Sequence, residues 1–295
     1  MSQSPAEILK RVRLIEIATR ALVNDVFSGV YHSVFKGMGV EFSEVRSYQR
    51  GDDVRTIDWN VTARTGSLHV KRYQEERERT VMLALDASAS MRFGSQDRSK
   101  GELAAEVLAL LAFSAIANHD RVGLMIFSDK CEKFIPPKKG RKHGLRVITE
   151  VLSHRAQSRR TDINRALDYL NRTLHRRSIL FVLSDFFSGD FAPTLKVAKH
   201  KHDCIAMVFN DPRELDLPPS GWLSLTDAET GKDIEVDTRL PRARAEYAAF
   251  AEARAKSRRH FFAQQKVDVI ELSTDRPYTE PLRSFFRERL RKIRR

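Results

Sequence analysis

From Thr80 onward, short apolar runs alternate with longer stretches of helical period, and that alternation leaves the chain few folds to choose from. Val81–Leu85, Val122–Phe127, Ile179–Leu183 and Cys204–Phe209 are each bounded by polar residues and too short for helices. Continuous apolar character implies strands buried on both faces, the habit of a parallel sheet covered by helices. Helices are expected over residues 101–118, 145–152, 162–174 and about 192–200. In the first of these, Leu103, Val107, Leu110, Leu111, Ser114 and Ala115 make one apolar side that lies against the sheet. Right-handed crossovers then give an α/β fold with a doubly wound, mostly parallel sheet flanked by helices. Cys131–Ile135 is expected as a short antiparallel edge strand stopped by Pro136-Pro137. A helix over residues 241–265, with Pro241 in its first turn, a last core strand over 267–272 and a helix from Tyr278 onward complete this unit.

The alternation breaks at Asp211-Pro212, and Leu217-Pro218-Pro219-Ser220-Gly221 reads as a stiff linker. Trp222–Thr226 and Ile234–Val236 flank Glu229-Thr230-Gly231-Lys232, a hairpin signal. The hairpin is therefore an insertion at about residues 212–238, available to pair with strands near the amino end. There, Ile8, Val12, Ile15, Ala18 and Leu22 predict an amphipathic helix over residues 5–24. Residues 31–78 predict several short strands, at 40–42, 47–48 and 68–73, in a small β-rich segment. The division expected is 1–78 and 79–295.

The first core strand ends in Asp86-Ala87-Ser88-Ala89-Ser90-Met91. In an open α/β sheet the carboxyl ends of the strands receive ligand, and Asp86, Ser88 and Ser90 present only oxygen, which suits a hard cation. The same residue types are also ordinary turn formers. Two further loops favour the cation: Thr161 stands before the helix that begins with Asp162 and Ile163, and Asp185 ends the run Ile179–Leu183.

The set Asp86, Ser88, Ser90, Thr161 and Asp185 resembles the metal-ion-dependent adhesion site of von Willebrand factor A-type domains. That resemblance implies a magnesium ion, or another divalent cation such as manganese or calcium, with one position left for a partner's carboxylate. Two departures stand out: Arg159-Arg160 where glycines often precede the threonine, and Phe186 where glycine usually follows the aspartate. Cations beside the ion would weaken its binding by repulsion. A second resemblance lies upstream. Gly37-x-Gly39-x-Glu41-Phe42, Arg46-x-Tyr48, Gly51-Asp52-Asp53-x-Arg55-x-Ile57-Asp58-Trp59 and Ala63-Arg64 resemble the signature of the bacterial domain of unknown function 58 (DUF58). That family joins such a segment to a von Willebrand factor A-like domain, so the two resemblances cover almost the whole chain. The family further implies a MoxR-type AAA+ ATPase as partner, in chaperone-like or complex-maturation work. Physically, Asp52, Asp53 and Asp58 against Arg46, Arg55 and Arg64 read as a charge-assisted hydrogen-bond network with Trp59 packed beneath, or alternatively as a second metal site or catalytic carboxylate pair.

The formal net charge of +13 raises nucleic acid as an alternative partner. From Arg239 to the end there are 16 basic and 7 acidic residues, so most of the surplus lies there. Without interleaved base-stacking aromatics this reads as a solvated basic face for an acidic partner rather than a nucleic-acid groove. No run approaches eighteen apolar residues and the opening Met1-Ser2-Gln3-Ser4-Pro5 is no signal core, so a cytoplasmic protein is expected. Cys131 and Cys204 imply neither zinc nor a disulfide framework, and Cys204 reads as a small buried hydrophobe. His200-x-His202 reads as a solvated loop.

No Gly-x-Ser-x-Gly elbow, zinc-type histidine pair or Walker loop occurs. The expectation is a non-enzymatic, metal-dependent protein-binding adaptor. The alternative is a basic nucleic-acid-binding protein or a metal-dependent nuclease or phosphohydrolase using Asp86 and Asp185.

Overall fold

The computed structural model describes residues 40–75 and 79–293, together with Lys10, Arg13 and Leu14. The helix expected over residues 5–24, apart from those three helical positions, lies outside the described residues, as do Gly37 and Gly39. The rest falls into two compact units divided between Arg79 and Thr80.

In the smaller unit β1 (Val40–Ser47) pairs antiparallel with β2 (His69–Glu75), Arg46 opposite Val70, with an irregularity between Phe42 and Glu44. One strand thus runs where two fragments were expected. A short helix, α1 (Trp59–Thr65), was not expected, because its residues carry no helical period; its caps make it. The Asp58 carboxylate accepts from the Asn60 and Val61 amides at 3.0 and 3.2 Å, and Gly66 closes the other end at φ 72°. Of the expected charge network, Arg46–Asp52 alone forms as drawn among the described residues, with two hydrogen bonds of 2.8 and 2.7 Å. Asp53 instead caps a turn by accepting from the Arg55 amide, and Asp58 pairs with Lys71 at 3.6 Å. Trp59 is 65% exposed rather than packed beneath. It is the first residue of α1.

The larger unit runs β3 (Thr80–Asp86), α2 (Lys100–Ala117), β4 (Arg121–Phe127), β5 (Cys131–Lys138), α3 (Arg141–Ser153), α4 (Ile163–Thr173), β6 (Ile179–Ser184), α5 (Ala192–Lys201) and β7 (Asp203–Asn210). It continues with β8 (Trp222–Thr226), β9 (Asp233–Asp237), α6 (Pro241–Gln265), β10 (Asp268–Ser273) and α7 (Thr279–Ile293). Six strands form one sheet in the order β10-β7-β6-β3-β4-β5, parallel throughout except for antiparallel β4–β5. This is the mostly parallel, helix-flanked α/β fold that the sequence pattern implies.

Alternate residues of the central strands divide the core. Met82, Ala84, Leu180, Val182, Ala206 and Val208 join Leu167 and Leu170 of α4, Leu195 and Ala198 of α5 and Phe262 of α6 in one cluster. The opposite face carries α2, which is buried almost all round rather than on one side. The cause is a neighbour: α3 packs beside α2 and against β4, so closely that a Cβ on Gly144 would stand 2.0 Å from Ile116 Cδ1.

Three more expectations change. β5 continues through Pro136-Pro137 to Lys138, because an edge strand tolerates a missing N–H on its open side. β8 and β9 pair with each other, Trp222 opposite Asp237, as a two-stranded sheet of their own rather than with amino-terminal strands. His202 is buried, not solvated, because it caps the end of α5 immediately before the central strand β7. No described helix is long and apolar enough to cross a membrane.

Candidate metal centre

The strand order places a crevice. From β3 the chain moves to β4 on one side and to β6 on the other, so the carboxyl ends of β3 and β6 flank a topological switch point. Asp86 ends β3 and Asp185 follows β6. Backbone hydrogen bonds tie the loops around them. The Ala87 amide donates to Phe127 O (2.8 Å), the Ala89 amide to Arg159 O (3.0 Å) and the Asp162 amide to Ser128 O (3.0 Å). Glu132 of β5 fixes the approach to Thr161, its carboxylate accepting from the Gln157 and Ser158 amides, with His154 Nε2 at 2.7 Å. Burial works against that carboxylate's charge, but these donors and the Ser128 hydroxyl outweigh it and hold its pKa below the ordinary value.

Asp86 and Asp185 face one another here as buried carboxylates, with the Ser88 and Ser90 hydroxyls beside Asp86 and Thr161 on a neighbouring loop. Asp86 Oδ1 accepts from the Ser88 amide at 2.9 Å and Oδ2 from the Ser184 hydroxyl at 2.6 Å. Ser88 Oγ and Ser90 Oγ lie 3.1 Å apart. Asp185 Oδ1 accepts from the Phe187 amide at 3.1 Å, and Oδ2 from Lys100 Nζ at 2.8 Å. Thr161 Oγ1 is buried and has no hydrogen-bond partner. A cleft of about 470 Å³, lined among others by Asp86, Ser88, Arg92 and His154, opens beside β3.

Charges of both signs crowd the interior. Burial, then repulsion by Asp185, pushes the Asp86 carboxyl up to about 7 against the stabilising Ser184 and Ser88 donors. Lys100 Nζ also reaches Glu214 at 2.5 Å. Burial lowers the Lys100 pKa, but Asp185 and Glu214 outweigh it and the net shift is upward. Glu214 is raised by burial in spite of Lys100. Arg258 donates to the Asp185 carbonyl at 2.7 Å and to Asn210 Oδ1 at 2.6 Å, so this arginine is structural, not part of a solvated basic face. Phe187 sits among three cations, 3.7 Å from Arg254, 5.2 Å from Arg258 and 5.6 Å from Lys100.

Two observations bear on whether these residues suit a divalent cation. The buried Thr161 hydroxyl is an oxygen ligand of the kind a hard cation takes. The charge balance favours neither sign, because Asp86, Asp185 and Glu214 are matched by Lys100, Arg254 and Arg258. Among the described residues no three carboxylate, imidazole or thiolate side chains converge as a metal-binding group, so the hydroxyls would have to supply the remaining ligands. Of the two departures from the adhesion-site pattern, Arg159 is turned away, its Nε donating to the Ala228 carbonyl at 3.1 Å. Phe186 adopts the left-handed φ of 57° that glycine would take, held by edge-to-face contact with Phe262 at 5.0 Å.

Sequence reasoning missed Ser184, Lys100, Glu214 and Arg258. Ser184 was findable as the polar residue that ends an apolar strand before Asp185. Lys100 opens an apolar helix and Glu214 follows a proline turn, and neither position carries a periodic signal.

The model of the family described as "Protein of unknown function DUF58" matches residues 44–258. An uncharacterized protein of Mycobacterium tuberculosis, Rv1480, is 30% identical over 285 residues, covering 95% of this chain and 89% of its own. Among solved structures, the conserved hypothetical protein BatB of Bacteroides thetaiotaomicron is similar with a TM-score of 0.46 and 16% identity, covering 72% of this chain and 99% of that one. A von Willebrand factor type A protein of Catenulispora acidiphila is similar with a TM-score of 0.42 and 11% identity, covering 75% and 43%. The family match spans both units, from β1 into α6, and the chain belongs to the DUF58 family.

Proposed function

We propose that this protein is a non-enzymatic, cytoplasmic adaptor that binds a protein partner through a divalent cation held by Asp86, Ser88, Ser90, Thr161 and Asp185. The observation that carries the reading is the pair of buried carboxylates, Asp86 and Asp185, set at the switch point with the Ser88 and Ser90 hydroxyls beside Asp86. When bound, magnesium would supply a coordination position for a carboxylate of the partner. The chain's own part is to hold the oxygens still. Ser184 and the Ser88 amide orient Asp86, the Phe187 amide and Lys100 orient Asp185, and Glu132 fixes the loop that carries Thr161. The resemblance to adhesion-site domains and to this family makes a MoxR-type AAA+ ATPase the candidate partner.

The test is a pull-down with the purified protein and a MoxR-type ATPase from the same cell, in magnesium and in chelator, beside Asp86→Ala. Retention that needs both magnesium and Asp86 is expected. Equal retention by Asp86→Ala would end the adhesion-site reading. Retention of nucleic acid alone, falling steeply with salt, would transfer the function to the basic carboxyl-terminal region.

A further inference from the structure

The six-stranded sheet ends in β10, which pairs with β7 alone. Backbone groups of successive strand residues point to opposite sides. The Thr274 amide donates to Asn210 O at 3.1 Å, so Thr274, Leu272 and Ile270 face β7 while Ser273, Glu271 and Val269 face outward. The Arg276 amide takes the Ser273 carbonyl at 3.3 Å. Val269 and Glu271 therefore each present an N–H and a C=O, and Ser273 presents its N–H, and among the described residues no strand pairs with them. Glu271 is exposed, and Val269 and Ser273 are half-buried.

A groove of about 380 Å³ opens beside this strand, walled by Arg259 and Ala263 of α6 and by Phe285, Glu288, Arg289 and Lys292 of α7. Charge on the two helices is unequal. From Arg254 to Gln265, α6 carries four Lys or Arg residues and no carboxylate, and α7 carries five against two. The carboxylates of the strand are already engaged: Asp268 lies 3.6 Å from Arg289 and 3.7 Å from Lys292, and Glu271 lies 3.6 Å from Arg259. Surplus positive charge thus flanks an unpaired strand. A second copy of the chain would set that surplus against itself, and nucleic acid has no peptide groups to complete a sheet. An extended peptide bearing carboxylates answers both the strand and the helices.

We propose that the outer side of β10 is a docking edge for an extended, acidic segment of a partner protein, which joins the sheet as a seventh strand. Its main chain bonds to Val269, Glu271 and Ser273. Its alternate side chains meet the cations of α6 and α7 and the Phe285 ring. The surface is independent of the metal-dependent reading above, because none of its residues belongs to the Asp86–Asp185 site.

Fluorescence anisotropy of the full chain tests it, with a labelled peptide of alternating Glu and Val about eight residues long. The peptide should bind, and a central Val→Pro change in it should weaken binding by about tenfold or more, because proline cannot donate. In the protein, Glu271→Pro removes one outward N–H and no bond to β7, and should cost a similar factor. Glu271→Gln keeps that N–H and should bind at least as well as the parent. Arg259→Gln with Lys292→Gln leaves the backbone untouched and should weaken binding by a factor that shrinks as salt rises. Asp86→Ala should bind like the parent. The proline peptide decides the matter on the unaltered protein: if it binds as tightly as the alternating one, attraction is by charge alone and the proposal fails. It fails equally if the parent binds neither peptide, if a single-stranded DNA of the same length binds as tightly, or if sedimentation shows a dimer that Glu271→Pro dissociates.

Discussion

Lys100 Nζ lies 2.8 Å from Asp185 Oδ2, and both side chains are wholly buried. The pair anchors the start of α2 to the loop after β6, and Glu214 makes it a triad. Its members are worth more together than apart, because each one left alone is an uncompensated charge in the interior.

Replacing Lys100 by Met leaves Asp185 and Glu214 facing one another without their cation. The loss should be about 3–5 kcal/mol, read as a lower urea midpoint with an unchanged slope. A loss below about 1 kcal/mol would mean that water reaches the triad.

Burial and Asp185 both oppose the charge of Asp86 and push its carboxyl up to about 7. Asp86→Asn should therefore raise the melting temperature of the metal-free protein. The parent should gain about 2.7 kcal/mol from magnesium at a hundredfold excess over its dissociation constant, and the variant nothing. Calorimetric scans with and without magnesium check both; a variant that responds to magnesium like the parent would detach Asp86 from the cation.

Phe186 holds a left-handed backbone with an aromatic side chain. Phe186→Ala and Phe186→Gly should each cost about 3–5 kcal/mol in lost packing against Phe191 and Phe262. Between the two, glycine should be the equal or better variant. Elsewhere glycine is the poorer by roughly 0.5–1 kcal/mol, and here the relief of about 1–2 kcal/mol reverses the order. Denaturation of the pair side by side decides it, and an alanine variant clearly above the glycine one would show that the backbone relaxes.

His202 is buried, and neither ring nitrogen has a hydrogen-bond partner. Burial, then the charges of Lys201 and Arg177, lowers its pKa below the ordinary 6.5. The unfolded chain therefore takes up the proton first as pH falls. The histidine's contribution is complete above about pH 6.5 and is lost below it. Urea midpoints measured from pH 7.5 to 5 should drop more for the parent than for His202→Gln; parallel curves would remove His202 as the cause.

The strands and helices of the larger unit could be read from the sequence because each apolar run is buried on two faces by its neighbours in the same unit. The loop positions of Asp86, Ser88, Ser90, Thr161 and Asp185 could be read for a related reason: each sits where such a run ends or a helix begins. What escaped depends on long-range contact. Lys100 looks like a surface charge until Asp185 and Glu214 surround it. α1 escaped because its caps, not its apolar residues, define it.

The outermost strand, β5, has a consequence for how molecules of this protein meet one another. A parallel sheet ends in rows of backbone groups that another chain can adopt as a template. On this rim Pro136 and Pro137 follow one another, and since successive N–H groups point to opposite sides, one of the two removes a donor from the open side. An approaching copy finds that donor missing. The rim thus discourages growth of the sheet from one molecule into the next, and a crowded solution of this protein has no easy route to fibres along that side.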